Sequence, residues 1–116
     1  MKIMHYSEAE ATYLNTDTVK GVTGRVAIGK ADGADHFCMR VFELSENGYS
    51  PRHSHDWEHE IFIHSGNGEV LCDDKWIPVS PGSVIFIPGN EDHQIKNTGD
   101  GQLVFVCLIP SGYPEM

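Results

Sequence analysis

From about Val22 to Ile109 the chain is written in short β-branched, aliphatic and aromatic runs, broken about every 8–12 residues by turn-forming clusters. This rhythm predicts an all-β sandwich or barrel. The runs place strands at Arg25–Ile28, His36–Leu44, Tyr49–His55, Glu60–His64, Glu69–Cys72, Trp76–Val79, Ser83–Ile87, His93–Asn97 and Gln102–Ile109. Between them stand clusters such as Glu46-Asn47-Gly48, Ser65-Gly66-Asn67-Gly68, Asp73-Asp74 and Pro88-Gly89-Asn90, whose residues suit tight reversals. Near the N-terminus, Ser7 followed three residues later by Glu10 predicts a capping box opening one helical turn over residues 8–12. Nothing else reads as helix.

Two runs, Phe37-Cys38-Met39-Arg40-Val41-Phe42 and Leu103 to Ile109, are apolar on both alternating faces. Both faces are therefore expected to be covered, outside by a terminal segment or a second subunit. A homodimer is the expected assembly. The divisions expected are an N-terminal segment, residues 1–21, with possible dimer contacts, and one domain over residues 22–116. No internal repeat or low-complexity tract interrupts the second.

Composition narrows the partners. Lys and Arg number 8 against 17 Asp and Glu, a formal charge of -9, which disfavours nucleic acid and anionic membranes. A small cationic or neutral substrate is easier to admit. Cys38, Cys72 and Cys107 are odd in number and have no C-x-x-C spacing, so they read as reduced core thiols. The first residues lack an apolar export region, and no run approaches the ~20 apolar residues of a membrane span. A cytoplasmic location is expected.

The chemistry lies in histidine. Of seven histidines, His53 and His55 are two apart, His59 follows four residues on, and His93 stands downstream behind Pro88-Gly89. On a strand, residues two apart project from one face, which makes His53 and His55 a chelating pair. A reversal over Asp56-Trp57-Glu58 returns His59 towards them, and a neighbouring strand can bring His93. Neutral imidazole is a favoured ligand for mid- and late-first-row divalent metals. His5, His36 and His64 read as non-ligands. No Ser-His-Asp set, phosphate-cradling loop or carboxylate pair has comparable spacing.

These spacings resemble those of a small single-domain cupin. The family's first motif, G-x5-H-x-H-x3-E-x6-G, is matched by His53-x-His55-x3-His59-x6-Gly66, with Asn47 in the first glycine's place. The second, G-x5-P-x-G-x2-H-x3-N, is matched by Gly82-x5-Pro88-x-Asn90-x2-His93-x3-Asn97, with Asn90 replacing the middle glycine. Asparagine best tolerates positive φ among non-glycine residues, so both turns can survive. The resemblance implies a jelly-roll β-barrel or sandwich of about nine to eleven short strands. The segment Arg52 to Phe62 is similar to a subgroup with an all-histidine manganese site.

Histidine at 59, where most cupins have glutamate, leaves a bound divalent ion formally +2, a stronger Lewis acid that is harder to oxidise. Glu60 beside it faces the other way by strand parity. The resemblance implies manganese or iron, with nickel, zinc or copper able to enter a recombinant sample. Four protein ligands on a six-coordinate ion leave two positions open. Phe105, Cys107, Arg40 and Trp57 are candidate pocket residues, while Glu58, Glu91 and Asp92 are acidic neighbours of the ligands. The leading expectation is oxygenase or oxidase chemistry on a small organic substrate. The alternatives are a non-catalytic binding or sensing module and a sugar or keto-acid isomerase, for which Glu58 or Tyr49 would have to serve as base.

Overall fold

Along His59–Ser65 burial alternates without a break: His59, Ile61 and Ile63 are buried, while Glu60, Phe62 and His64 are exposed. A pleated strand turns successive side chains to opposite faces, so this segment sends a ligand candidate and two core residues inward together. We label it β4. The computed structural model describes residues 1–116 and adds β1 (Ala11–Leu14), β2 (Lys20–Ile28), β3 (Phe37–Tyr49), β5 (Gly68–Cys72), β6 (Lys75–Val79), β7 (Val84–Ile87), β8 (Ile95–Asn97) and β9 (Leu103–Pro110). All pairings are antiparallel. The hydrogen-bonded order is β6-β5-β8-β3-β9-β4-β7, with β2 on β3 and β1 on β2. The all-β expectation holds, and the helical content is two 3-10 turns, Tyr6–Glu8 and Lys30–Asp32.

The curled sheet encloses a core that includes Val22, Leu44, Ile61, Ile63, Leu103, Phe105 and Ile109. On the outside of β2, β3 and β9, a smaller cluster of Ala27, Val41 and Val104 is covered by Tyr6. The N-terminal segment thus supplies part of the outer cover that the two-sided apolar runs require. Cys38 and Cys107 are buried and Cys72 is half-buried, all three as free thiols. No helix is long and apolar enough to cross a membrane.

Several local expectations are corrected. The strand expected over Tyr49–His55 is absent: β3 ends at Tyr49, and residues 50–58 form a loop whose one ladder contact is the bridge His53↔His93. Pro51 has no N–H to donate, which stops the ladder there. The expected turn at Glu46-Asn47-Gly48 lies inside β3 as a bulge. Between the pairs Lys20↔Tyr49 and Val22↔Leu44, Gly21 alone faces Ser45 to Gly48. Asn47 has φ 63 there, and a Cβ on Gly21 would stand 2.0 Å from Ser45 Oγ.

The helical turn is displaced too. His5, not Ser7, caps it: its Nδ1 accepts from Ser7 N at 3.2 Å, and the Glu8 carboxylate accepts from His5 N at 3.0 Å. Residues 11–14 then enter β1. Other turns fall as expected. Asp73 and Asp74 both have positive φ (49 and 62) between β5 and β6, the requirement of a two-residue type I′ hairpin. Buried Asn97 at the end of the second motif donates to Leu44 O, Ser45 O and Gly101 O and accepts from Gly99 N, tying β8 to β3 and to the last turn.

Candidate metal centre

Three pieces of chain meet at one end of the core. The loop after β3 supplies His53 and His55, the first inward position of β4 supplies His59, and the loop before β8 supplies His93. Reciprocal backbone bonds join the two loops, His53 N to His93 O at 3.1 Å and His93 N to His53 O at 2.9 Å. Asn90 N donates to His55 O at 2.5 Å, and Asn90 has φ 68. Gly89 permits this approach, since a Cβ there would lie 2.5 Å from Asp56 O. The pair His53 and His55 therefore converges from a loop rather than from one face of a strand.

The ligand atoms of all four histidines lie within 4.8 Å of one another. Nitrogens bound at about 2.1 Å on opposite sides of one ion stand roughly 4.2 Å apart, so small side-chain adjustments close the set. The ring hydrogen bonds fit the same picture. His55 Nδ1 is 2.8 Å from Trp57 O and His93 Nδ1 is 2.9 Å from Glu91 O. A carbonyl only accepts, so each Nδ1 carries the proton and each Nε2 turns a lone pair inward. His55 Nε2 and His59 Nε2 are 2.8 Å apart, a spacing that suits a hydrogen bond between the rings or two neighbouring ligands on one ion. His59 Nδ1 lies 3.2 Å from Cys107 Sγ and 3.4 Å from Arg40 Nη2; with an ion on His59 Nε2, Nδ1 would carry the proton and Cys107 Sγ would accept it. This donor set fits a divalent ion, and the four-histidine cluster could hold one.

Protonation state agrees. Burial, followed by the nearby His93 and His55, pushes His53 down to about 4. Burial, with the Arg40 guanidinium next, pushes His59 down to about 3, and burial also lowers His55. These three rings are neutral at pH 7, the form that ligates metals. Burial raises Cys107, which is therefore a thiol at neutral pH.

A cavity of about 230 Å³ opens beside the cluster, and ten of its sixteen lining residues are hydrophobic. Of the four pocket candidates, Arg40, Phe105 and Cys107 line it. Trp57 does not: it is stacked between His55, at 4.0 Å between ring centroids, and Tyr113, at 4.8 Å. It braces His55 instead of walling the cavity. Glu58, Glu91 and Asp92 do not reach the imidazole N–H groups, for which the carbonyls of Trp57 and Glu91 are the partners. Glu58 and Tyr49 are absent from the lining. His64 and Glu60 face outward, and His36 is exposed.

Several contributors escaped the sequence reading. Met116 lines the cavity, and Glu115 O lies 3.5 Å from Arg40 Nη1, so the last residues close one side of the site. Arg52 Nε donates to Asp92 Oδ2 at 2.7 Å, linking the residues that precede His53 and His93. Opposite charge immediately before His53 and His93 was the available signal for that contact. The tail left none, because its position depends on long-range packing.

Comparison with known proteins gives the affiliation. Polyketide cyclase RemF from Streptomyces resistomycificus superposes with a TM-score of 0.89 at 34% identity, covering 98% of this chain and 82% of that one. A 1-methylthio-D-xylulose 5-phosphate methylsulfurylase of Rhodospirillum rubrum is 30% identical over 71 residues, 61% of this chain and 46% of that protein. An oxalate-binding protein of Thermotoga maritima is 38% identical over 58 residues, 49% of this chain and 48% of that protein. The chain spans less than half the length of these two curated relatives. Residues 40–109, which run from cavity-lining Arg40 through all four histidines to the end of the core, match the cupin domain family, and the chain belongs to it.

Proposed function

We propose that the chain is a divalent-metal-dependent enzyme that activates a carbonyl group of a small, mostly apolar molecule for cyclisation or condensation. The observation that carries this reading is one cavity lined both by His53, His59 and His93 and by apolar side chains such as Leu14, Val22, Phe42 and Phe105. A ligand there buries carbon against the wall and presents oxygen to the imidazole cluster. Bound to four neutral ligands, a divalent ion keeps its full formal charge and supplies Lewis acidity.

The chain's own residues orient and dry the site. Phe42 and Phe105 pack with ring centroids 5.5 Å apart and offer flat apolar surface. Trp57 and the carbonyls of Trp57 and Glu91 hold the rings of His55 and His93. No carboxylate lines the cavity, which speaks against the sugar isomerase, whose polar substrate and general base would need other walls. Similarity to a polyketide cyclase along nearly the whole chain supports the carbonyl reading.

A second reading is the oxygenase or oxidase expected from the sequence. It is favoured by a four-ligand set that leaves two positions on a six-coordinate ion such as manganese or iron. Redox-inert zinc separates the two. 2,6-Heptanedione, which can close to 3-methylcyclohex-2-enone with loss of water, and benzoylacetone are each offered to protein loaded with zinc, manganese or iron while product and oxygen are monitored. Turnover with zinc and no oxygen uptake is the expected result. Turnover confined to manganese or iron with stoichiometric oxygen uptake establishes the oxygenase, and binding without turnover under every ion makes the chain a binding module.

A further inference from the structure

The chain has three arginines, and two are neutralised. Arg25 pairs with Glu43, and Arg52 with Asp74 and Asp92. Arg40 is the most enclosed, 8% exposed, yet it has no carboxylate within ion-pair distance. Its Nη2 lies 3.1 Å from Cys107 Sγ and 3.4 Å from His59 Nδ1, its Nη1 3.5 Å from Glu115 O, and its Nε has no partner. The Glu115 carboxylate is engaged elsewhere, accepting from Lys30 N at 2.8 Å. The Phe42 ring, 5.0 Å from Cζ, offers only a cation–π contact.

An enclosed guanidinium without a counter-charge is costly, and a carboxylate brought by a ligand would offset that cost. Arg40 lines the cavity beside His53, His59 and His93. We infer that the cavity takes a carboxylate-bearing molecule with an apolar body, and that Arg40 is the residue that pairs with its charge. This rests on reading the cavity as a ligand site and not on which reaction occurs there. The acidic surface, formally -9, had suggested a neutral or cationic substrate. Exposed charges are screened over about 8 Å at physiological ionic strength, whereas a guanidinium inside an apolar cavity acts at contact. Selection of the ligand therefore follows the cavity rather than the net charge.

Calorimetry with formate, benzoate and phenylpyruvate, each against its neutral counterpart (formamide, benzamide, phenylpyruvate methyl ester), tests this on manganese-loaded and chelator-treated protein. In both forms at least one acid binds in preference to its neutral counterpart, and Arg40→Gln lowers acid affinity by about 10- to 100-fold, the worth of a charge-assisted hydrogen bond. Arg40→Lys keeps part of the preference and guards against loss of folding in the glutamine variant, which thermal melting detects. The inference is overturned if no acid binds, if acids and neutral counterparts bind alike, or if Arg40→Gln keeps the preference. Selectivity in chelator-treated protein does not depend on the ion, so failure of the proposed reaction and failure of this inference are separate results.

Discussion

Arg52 Nε donates to Asp92 Oδ2 at 2.7 Å, and each residue immediately precedes a histidine of the cluster. The contact lies over the bridge His53↔His93, so one ion pair and two backbone hydrogen bonds hold the ligand loops in register. Both side chains are about half exposed, 53% and 47%, and exposed pairs contribute about 0–1 kcal/mol. Asp92→Asn should therefore weaken metal binding by less than about fivefold. A chelator competition titration measures it, and a loss approaching that of a deleted ligand would show that the backbone bridge cannot hold the loops alone.

The cluster itself sets a larger contrast. His59 is buried among the other three rings, whereas His64, five residues along β4, faces outward. His59→Ala should lower the metal content of purified protein sharply, and His64→Ala should leave it at the wild-type level. Elemental analysis of untagged protein reads both. Equal effects would mean that outward-facing histidine takes part in binding.

These contrasts follow the line between what the sequence displayed and what it hid. Parity along β4 was readable, because a strand covered on one face must alternate, and it placed His59 inward and Glu60 and His64 outward. Both glycine-to-asparagine departures were readable as well, since Asn47 and Asn90 have φ of 63 and 68. The segment 49–55 misled because its polar alternation imitates a strand, while Pro51 and the bulge at Ser45–Gly48 use up the ladder before His53. The partners of the imidazoles were invisible for a different reason. They are backbone carbonyls of Trp57 and Glu91, and any residue type supplies a carbonyl.

Acid should destabilise the metal-free protein over a defined window. His53 and His59 are held near 4 and 3, below the ordinary histidine value of 6.5, chiefly by burial. Between those values and 6.5 the unfolded chain binds more protons than the folded one, so stability rises with pH there and falls as pH drops. The melting temperature of chelator-treated protein should thus decline from about pH 6.5 towards pH 4 and below, with no contribution from these rings above 6.5. A profile flat from pH 7 to pH 4 would show that the rings protonate without cost in the folded state.

Gly89 offers a test of the loop that carries His93. A Cβ there would stand 2.5 Å from Asp56 O and 3.1 Å from its carbonyl carbon, both backbone atoms that cannot swing aside. Gly89→Ala should separate the His55 and His93 loops, cost about 1–3 kcal/mol of stability as an overpacking change, and weaken metal binding. Gly101→Ala, where nothing lies within 4 Å of the added carbon, is the control. Denaturant unfolding with a parallel metal titration distinguishes this from a general glycine effect, which would lower both variants equally.

The outer face of β4 and β7 bears on assembly. Phe62, Val84 and Phe86 are 48%, 78% and 61% exposed, and β7 ends the strand order, so one of its edges is unpaired. An apolar patch beside an open edge is a common site of subunit contact and an aggregation hazard when bare. The N-terminal segment covers the β2–β3–β9 outer face through Tyr6 and is not part of the depression formed by Phe62, Val84 and Phe86. We propose that a second copy of the chain covers it, giving the homodimer expected from the two-sided apolar strands. Sedimentation equilibrium should find a dimer, and Phe86→Glu should shift it towards monomer without altering the metal content. A monomeric wild type at micromolar concentration would assign the patch to a different partner.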